Sequence, residues 1–505
     1  MGVVRRQSVV STIFIFAGFL IGAVNIFFFY GNEKYFTHDE FGLTRLLPDV
    51  ALIFSASCTL GGAIALVKFF PFYNSYLTKQ KNDLPLIGLI ACVIGCIVFF
   101  VVLPYSKDFF IRKFSAKSAL FTQYFNLLYP YVVGMAFFTY FEACHWAIRQ
   151  SVLPNVLREL IFRLLSLVLI LLMAFKIISF DQFIFLYALI YPVMALVMFI
   201  NLVNNKFFVF TGISSVTKRL GKKVIQFTAF IFIGSLLHIA ATVIGIIVLA
   251  SQGQNGLGDV AVFTIATYLV TLMDIPLRSM TGIASAIIAQ AWKDKDLKRI
   301  DDLYTKTALT LLVAGLFILG LVLLNADNIA LFLGKKYAGI YFIILVLGIS
   351  KLIDLGSGLN AQILLSSKYW KIDFYTQLVL VGLMLALNYY LIKRFSIMGS
   401  AYATLISFLI YNTLRFYYIK RLFKLQPFTI KNLYALFLGA ACFVPVWYLP
   451  FVGNIYIDSV LKTILFTAVF VWAFYRFKIS EDINRAVDVY LDKALLFTGI
   501  KKKDG

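Results

Sequence analysis

The sequence predicts an all-α polytopic membrane protein of about 14 transmembrane helices, arranged as two pseudo-symmetric six-helix bundles followed by two C-terminal helices. Three observations lead there. Fourteen apolar stretches, most about 20 residues long, fill the chain almost end to end, and a helix of about 20 apolar residues crosses a bilayer core of roughly 30 Å. The 505 residues are 61% hydrophobic and only 14% charged, with 52 Phe and 28 Tyr; a soluble protein of that composition would have no polar surface left. Lysines and arginines also concentrate in alternate connecting segments, as the positive-inside rule requires.

Taken in order, the spans fall near 9–30, 46–69, 85–104, 119–141, 159–178, 183–204, 223–249, 261–290, 306–324, 338–365, 372–392, 397–416, 431–450 and 458–476. The first run follows Arg5-Arg6, exceeds a signal-peptide core and lacks a small-residue cleavage site, so it reads as an uncleaved span. An even number of spans puts both termini on one side, expected to be the cytoplasm. Lys218-Arg219, Lys222-Lys223, the charged run Lys293–Arg299, Lys420-Arg421 and Lys501-Lys502-Lys503 then fall inside, while Lys107, Arg112, Lys113 and Lys117 in 105–118 fall outside against the trend. Topology absorbs most of the +22 formal charge, which therefore does not argue for nucleic acid. Beyond the last span, Ser480 reads as the N-cap of an amphipathic surface helix over 480–497, with Ile483, Val487, Tyr490, Leu491 and Leu495 on one stripe. It suits the anionic inner leaflet, with a partner-binding tail as the alternative.

A weak internal repeat supports the two-bundle reading. Phe14-Ile-Phe-Ala-Gly18 recurs as Phe230-Ile-Phe-Ile-Gly234 at an offset of 216, and Gly42 is matched by Gly258 at the same offset. The expected organisation is a bundle over 1–215, a second over 216–425, two extra helices over 426–476 and a cytoplasmic tail over 477–505. Transporters place substrate sites at the interface of such repeats.

Charges inside spans are costly and mark candidate sites. In the eighth span Thr264, Thr267, Thr271, Asp274, Arg278, Thr281 and Ser285 recur at spacings of three and four, on one helical stripe. Interhelical hydrogen bonding would account for the threonines. Asp274 and Arg278 are an i, i+4 pair in the favourable orientation and point instead to a water-filled, substrate-facing stripe. Pro276 between them removes a backbone hydrogen bond and predicts a hinge-like kink. The tenth span adds Lys351, Asp354 and Gln362; base-first spacing leaves Lys351 available to an external anion. Arg149, Arg158 and Arg163 lie at or near the start of the fifth span, where snorkelling to headgroups is an equal alternative. Asp49, beside Pro48 near the outer end of the second span, has Arg45 one turn away as a partner. Cys92 and Cys96 share one face of the third span with no His or acid beside them and read as packing residues. No metal or cofactor is expected.

Cations outnumber unpaired acids among these residues, and arginine matches phosphate oxygens with a bidentate fork, so an anionic substrate is favoured. The two six-helix halves with two extra helices, Gln7-Ser8 leading into the first span, Phe41-Gly42-Leu43 before the second, the stretch from Pro276-Leu-Arg278 to Ala289-Gln-Ala-Trp292, and Ile363-Leu-Leu-Ser-Ser-Lys368 together resemble the MOP exporter superfamily. Within it the chain looks like the polysaccharide-biosynthesis, Wzx-like flippases, over roughly residues 5–476. The resemblance implies a MATE-like fold in a bacterial inner membrane. It also implies alternating access that carries an undecaprenyl-pyrophosphate-linked oligosaccharide, such as an O-antigen or lipopolysaccharide unit, to the outer leaflet beside polysaccharide-assembly proteins. Arg278 and Lys351 would correspond to the family's cationic cavity, but the first half has no matching charge, since the offset lands on Gly62. Whether H+ or Na+ drives transport is left open, with Asp274 or Asp354 as the candidate proton site. A small-molecule or drug exporter on the same fold is the near alternative. A polytopic glycosyltransferase is the distant one: Asp39-Glu40 beside His38 would suit it, but the short external loops would not.

Overall fold

The computed structural model describes residues 14, 17–78, 81–148, 150, 152–209, 212–480, 484 and 488. Among them there are helices and no strands. The helices are α1 (Ala17–Tyr30), α2 (His38–Cys58), α3 (Gly62–Tyr76), α4 (Leu84–Phe114), α5 (Ala119–Gln123), α6 (Leu128–Ala147), α7 (Val152–Asn155), α8 (Phe162–Ala174), α9 (Phe180–Asn204), α10 (Ser215–Gln252), α11 (Leu257–Thr271), α12 (Asp274–Asp294), α13 (Leu297–Leu333), α14 (Ile340–Gly356), α15 (Asn360–Ser366), α16 (Lys371–Phe395), α17 (Ile397–Phe423), α18 (Ile430–Trp447) and α19 (Ile455–Arg476). Arg5, Arg6, Gln7-Ser8, Arg149 and the expected tail helix lie outside the described residues, apart from Ser480, Asn484 and Asp488.

Among the described residues eleven helices are long and apolar enough to cross a membrane, and the chain is an all-α polytopic membrane protein. The three remaining expected spans are made of shorter pieces. The first is described only over α1, whose last six residues wind as a π-helix, Asn25–Tyr30. The fifth is assembled from α7, a π-helical segment Val156–Ile161, and α8. The eighth is split into α11 and α12 around Leu272 and Met273. Pro276 explains that split: it has no N–H for the carbonyl of Leu272, four residues back, and its ring crowds that carbonyl. A full break replaces the expected kink.

The second span is also broken. Leu60 and Gly61 both adopt positive φ, 44° and 77°, and separate α2 from α3; glycine tolerates that region without strain. α2 starts eight residues before the expected boundary because Thr37 and Glu40 form a capping box, with Thr37 N donating to Glu40 Oε2 at 2.7 Å and Glu40 N to Thr37 Oγ1 at 3.3 Å. Asp39-Glu40 are therefore the first turn of a helix, where acids suit the dipole, and not loop residues. The expected outer loop 105–118 is likewise helical as far as Phe114. The tenth span divides into α14 and α15 at residues 357–359. α10 has 38 residues and α13 has 37, lengths of about 57 and 56 Å that overrun the hydrocarbon core.

By packing, the chain divides into two compact units, between Ala261 and Val262. The repeat-based boundary at 215/216 precedes α10; the packing boundary follows it, because α10 lies along α2, α3 and α4. In the first unit α6 packs against α9 so closely that a Cβ on Gly134 would fall on the ring and nitrogen of Pro192. A Cβ on Gly95 of α4 would likewise fall on the Cys58 carbonyl of α2. Cys58, Cys92, Cys96 and Cys144 are all free and buried there. The outer face of α4 shows Ile90, Ile94, Ile97 and Val101 to the membrane, each roughly half exposed. In the second unit α13, α18 and α19 share a core built on Leu312, Val313, Cys442, Phe466, Phe470 and Phe474.

Helix ends carry one further pattern. Among the described residues seven that are not glycine have positive φ, and five are lysines just past a helix: Lys176, Lys206, Lys295, Lys424 and Lys478. That position normally belongs to glycine.

Candidate functional site

Each unit holds a polar assembly that includes candidate site residues. In the first unit a cavity of about 870 Å³ is bounded by α2, α3, α6, the π-segment, α9 and α10. Its walls are mostly apolar, with Lys68, Thr139, Glu142, Trp146 and Arg158 as the polar lining. Glu142 is 3% exposed and holds Arg158 in an ion pair and hydrogen bond; the Arg158 guanidinium also lies over the Phe138 ring, 5.3 Å from its centroid. A guanidinium has five N–H donors, so donors remain for a ligand. Lys68 is exposed, over the Phe227 ring at 5.6 Å.

The π-segment that presents Arg158 is a rare geometry, common at functional sites. It is gripped from α1: Asn25 Nδ2 donates to the Arg163 carbonyl at 3.0 Å, and Gly18 lies so close that a Cβ there would meet the Glu159 carbonyl. Arg163 pairs with Glu159 at 3.1 Å. Both arginines are thus engaged by glutamates within the protein, an arrangement neither sequence alternative contained. Arg45 does not pair with Asp49 among the described residues; its guanidinium instead lies 5.4 Å from the Tyr30 ring and 5.5 Å from that of Phe41. Asn25 Oδ1, Tyr30 OH, Arg45 Nε, Glu142 Oε1 and Arg163 Nη1 are buried polar atoms without a hydrogen-bond partner among the described residues, a density that marks an interior built for polar ligands or water.

In the second unit a continuous chain of polar contacts crosses the bundle. Lys351 on α14 meets Asp274, the first residue of α12, at 2.6 Å, and Asp354, one turn along its own helix, at 3.1 Å. Asp354 accepts from Asn412 Nδ2 at 3.3 Å, whose Oδ1 accepts from Asn360 Nδ2 at 2.9 Å. Asn360 Oδ1 lies 3.4 Å from Arg415 Nη1, and Arg415 is ion-paired with Asp373. Gln377 Nε2 closes the chain on Asp373 Oδ2 at 2.9 Å. Arg415 also stacks on the Tyr411 ring at 4.0 Å.

The network corrects the sequence reading in three places. Asp274 pairs across helices with Lys351 and not with Arg278; the break at Leu272 and Met273 puts Asp274 at a helix start that faces α14. Lys351 is not free for an external anion, since two carboxylates bracket it. Arg278 is exposed and forms no ion pair among the described residues. Four hydroxyls of the stripe are satisfied within their own helices, Thr267 on the Phe263 and Thr264 carbonyls, Thr271 on Tyr268, Thr281 on Leu277 and Ser285 on Thr281, at 2.7–2.9 Å, while Thr264 Oγ1 is buried without a hydrogen-bond partner among the described residues. Gln362 sits half-buried on α15, outside the chain of contacts. Arg415, Asp373, Asn360, Asn412, Glu142 and Lys68 went unnoticed in the sequence. Asp373, Arg415, Glu142 and Lys68 lie at or beside the ends of their expected spans, where a charge looks like an interfacial one.

Helix order, broken helices and intramembrane charges give a polytopic all-α fold, and that fold is similar to those of solved MOP superfamily transporters. No protein-family model matches the sequence, and no curated protein does. Among solved structures the chain is similar to the lipid II flippase MurJ in an inward closed conformation, at 14% identity and TM-score 0.71, over 94% of this chain and 99% of that one. It is also similar to an inward-facing multidrug resistance MATE family transporter of the same superfamily (14% identity, TM-score 0.59, 82% of this chain and 98% of that one). A MOP superfamily transporter from Pyrococcus furiosus is matched at 14% identity and TM-score 0.58, over 83% of this chain and 96% of that one.

Proposed function

We propose that the protein is a flippase that moves a polyprenyl-pyrophosphate-linked oligosaccharide from the cytoplasmic to the outer leaflet by alternating access, for cell-surface polysaccharide synthesis. The observation that carries this reading is the extent of the likeness. The flippase match runs over 94% of the chain, whereas the MATE match is nearly complete in its own chain yet covers 82% of this one. That fuller likeness favours a lipid-linked substrate over a small soluble one.

The first-unit cavity supports an anionic head. Arg158 and Lys68 offer N–H donors against apolar walls, where phosphate oxygens gain most from charge-assisted hydrogen bonds. In the second unit Arg278 is an exposed cation, unpaired among the described residues. Asp274, Lys351 and Asp354 then serve as an internal latch on α12. Protonation of either aspartate would loosen it, which makes H+ or Na+ coupling through this cluster a natural extension. Pro276, by breaking the helix beside the latch, would be the hinge. The polyprenyl tail stays in lipid, and repeats 1–215 and 216–425 supply the moving halves.

A drug-exporter reading has one observation in its favour: the latch holds two acids to one base. Mass spectrometry of polyprenyl-linked glycans before and after depletion separates the two. Accumulation of complete pyrophosphate-linked units with loss of surface glycan is the expected result. An unchanged lipid pool with altered drug sensitivity refutes the flippase and leaves the exporter.

A further inference from the structure

A further pocket, of about 310 Å³, sits in the second unit where the third and fourth turns of α13 meet the start of α18 and the residues just past the end of α19. Its lining includes Lys306, Lys431, Thr305, Thr310, Thr429 and Ser480, with Leu309, Ile430 and Ile479 as the apolar remainder. Ser480 is 4% exposed and shares a hydroxyl contact of 3.3 Å with Thr310. The Thr429 hydroxyl donates to Asn432 Oδ1 at 2.8 Å, and Thr429 and Asn432 form the capping box of α18. Both lysines are exposed, and neither forms an ion pair among the described residues. The pocket therefore gathers two available cations and several hydroxyl groups, set against an apolar wall.

Its depth narrows the ligand. It lies at the start of α18 and just past the end of α19, on the side that the positive-inside pattern assigns to the cytoplasm, away from the mid-span charges of α12 and α14. We infer that this pocket binds the phosphate-bearing headgroup of an anionic phospholipid of the inner leaflet, with the phosphate between Lys306 and Lys431 and the acyl chains along the exposed faces of α18 and α19. A free phosphate would satisfy the same donors but would leave the apolar wall unused. The inference is independent of the transported substrate.

The test uses the full-length protein purified in detergent, with thermal unfolding and native mass spectrometry read as phosphatidylglycerol, phosphatidylethanolamine or inorganic phosphate is added. Phosphatidylglycerol should raise the unfolding temperature and remain bound, with phosphatidylethanolamine much weaker. Lys306→Ala/Lys431→Ala should bind phosphatidylglycerol about thirtyfold more weakly, at about a kilocalorie per lysine, with no change in unfolding temperature when lipid is absent. Lys306→Arg/Lys431→Arg should keep the effect, and Lys222→Ala/Lys223→Ala, of equal charge change, should leave it intact. A shift reproduced by inorganic phosphate alone would overturn the lipid assignment in favour of a soluble phosphate. Full retention of phosphatidylglycerol by the double alanine variant, or equal response to both lipids, would overturn the site.

Discussion

Neutralising Asp373 removes the only carboxylate that the Arg415 guanidinium contacts among the described residues, in a place where the two side chains are 9% and 5% exposed. What remains around the cation is the Tyr411 ring and two weak contacts, to Asn360 and Thr376, each at 3.4 Å. A buried pair broken from one side costs about 3 kcal/mol or more, because the surviving charge is left uncompensated. At roughly 2–4 °C per kcal/mol for a unit of this size, Asp373→Asn should lower the unfolding temperature by about 6–12 °C. Arg415→Gln should do the same from the other side, by stranding Asp373. The double variant Asp373→Asn/Arg415→Gln puts a neutral amide pair in the same space and should recover most of the loss. Tryptophan fluorescence during a thermal scan in detergent reads all four proteins. Strictly additive losses, or single-variant shifts under about 2 °C, would refute the assignment of Arg415 and Asp373 as a coupled buried pair.

The same reasoning predicts that Lys351→Met, which leaves Asp274 and Asp354 without their shared cation, destabilises by about 3 kcal/mol, and that adding Asp354→Asn restores part of it in the same scan. Arg278→Ala should abolish glycolipid translocation in reconstituted vesicles without moving the unfolding temperature, whereas Arg278→Lys should transport; full activity in the alanine variant would remove Arg278 from the substrate path. Arg158→Ala should impair translocation and also destabilise, since it strands buried Glu142. Gly134→Ala should cost about 1–3 kcal/mol by driving a methyl group into Pro192, while Gly382→Ala, with no neighbour within 4 Å of the new carbon, should be neutral or gain up to about 1 kcal/mol.

The membrane fold was legible because length and hydropathy alone dictate it: every expected span finds helix in the described residues. Asp274, Lys351 and Asp354 were legible because each charge stands out in an apolar run. Their partners were not. The Asp274–Lys351 contact joins α12 to α14, and nothing in local spacing favours it over the i, i+4 alternative with Arg278. The position of the break depended on where the ring of Pro276 meets the preceding turn, so a residue visible in the sequence acted four positions upstream. Glu142 fell one residue beyond an expected span, and Arg415 one short of its end, where interfacial snorkelling masked a buried role. Thr37 and Glu40 could have been recognised, since Ser/Thr-x-x-Glu ahead of an apolar run is a helix-start signature; Asp39 and Glu40 drew attention as an acidic pair and hid it.

The five lysines with left-handed backbone carry a consequence for engineering. Each holds a conformation that costs an L-residue on the order of 1 kcal/mol and glycine almost nothing, so glycine at Lys176, Lys206, Lys295, Lys424 and Lys478 should harden the purified protein additively. Four of these five positions follow helices whose ends the charge pattern places in the cytoplasm. A variant hardened in this way would lose positive charges on which, by the positive-inside rule, its orientation would depend as it leaves the translocon. The chain therefore carries conformational strain at the places where insertion needs charge, and thermal robustness and correct insertion should trade against each other, lysine by lysine.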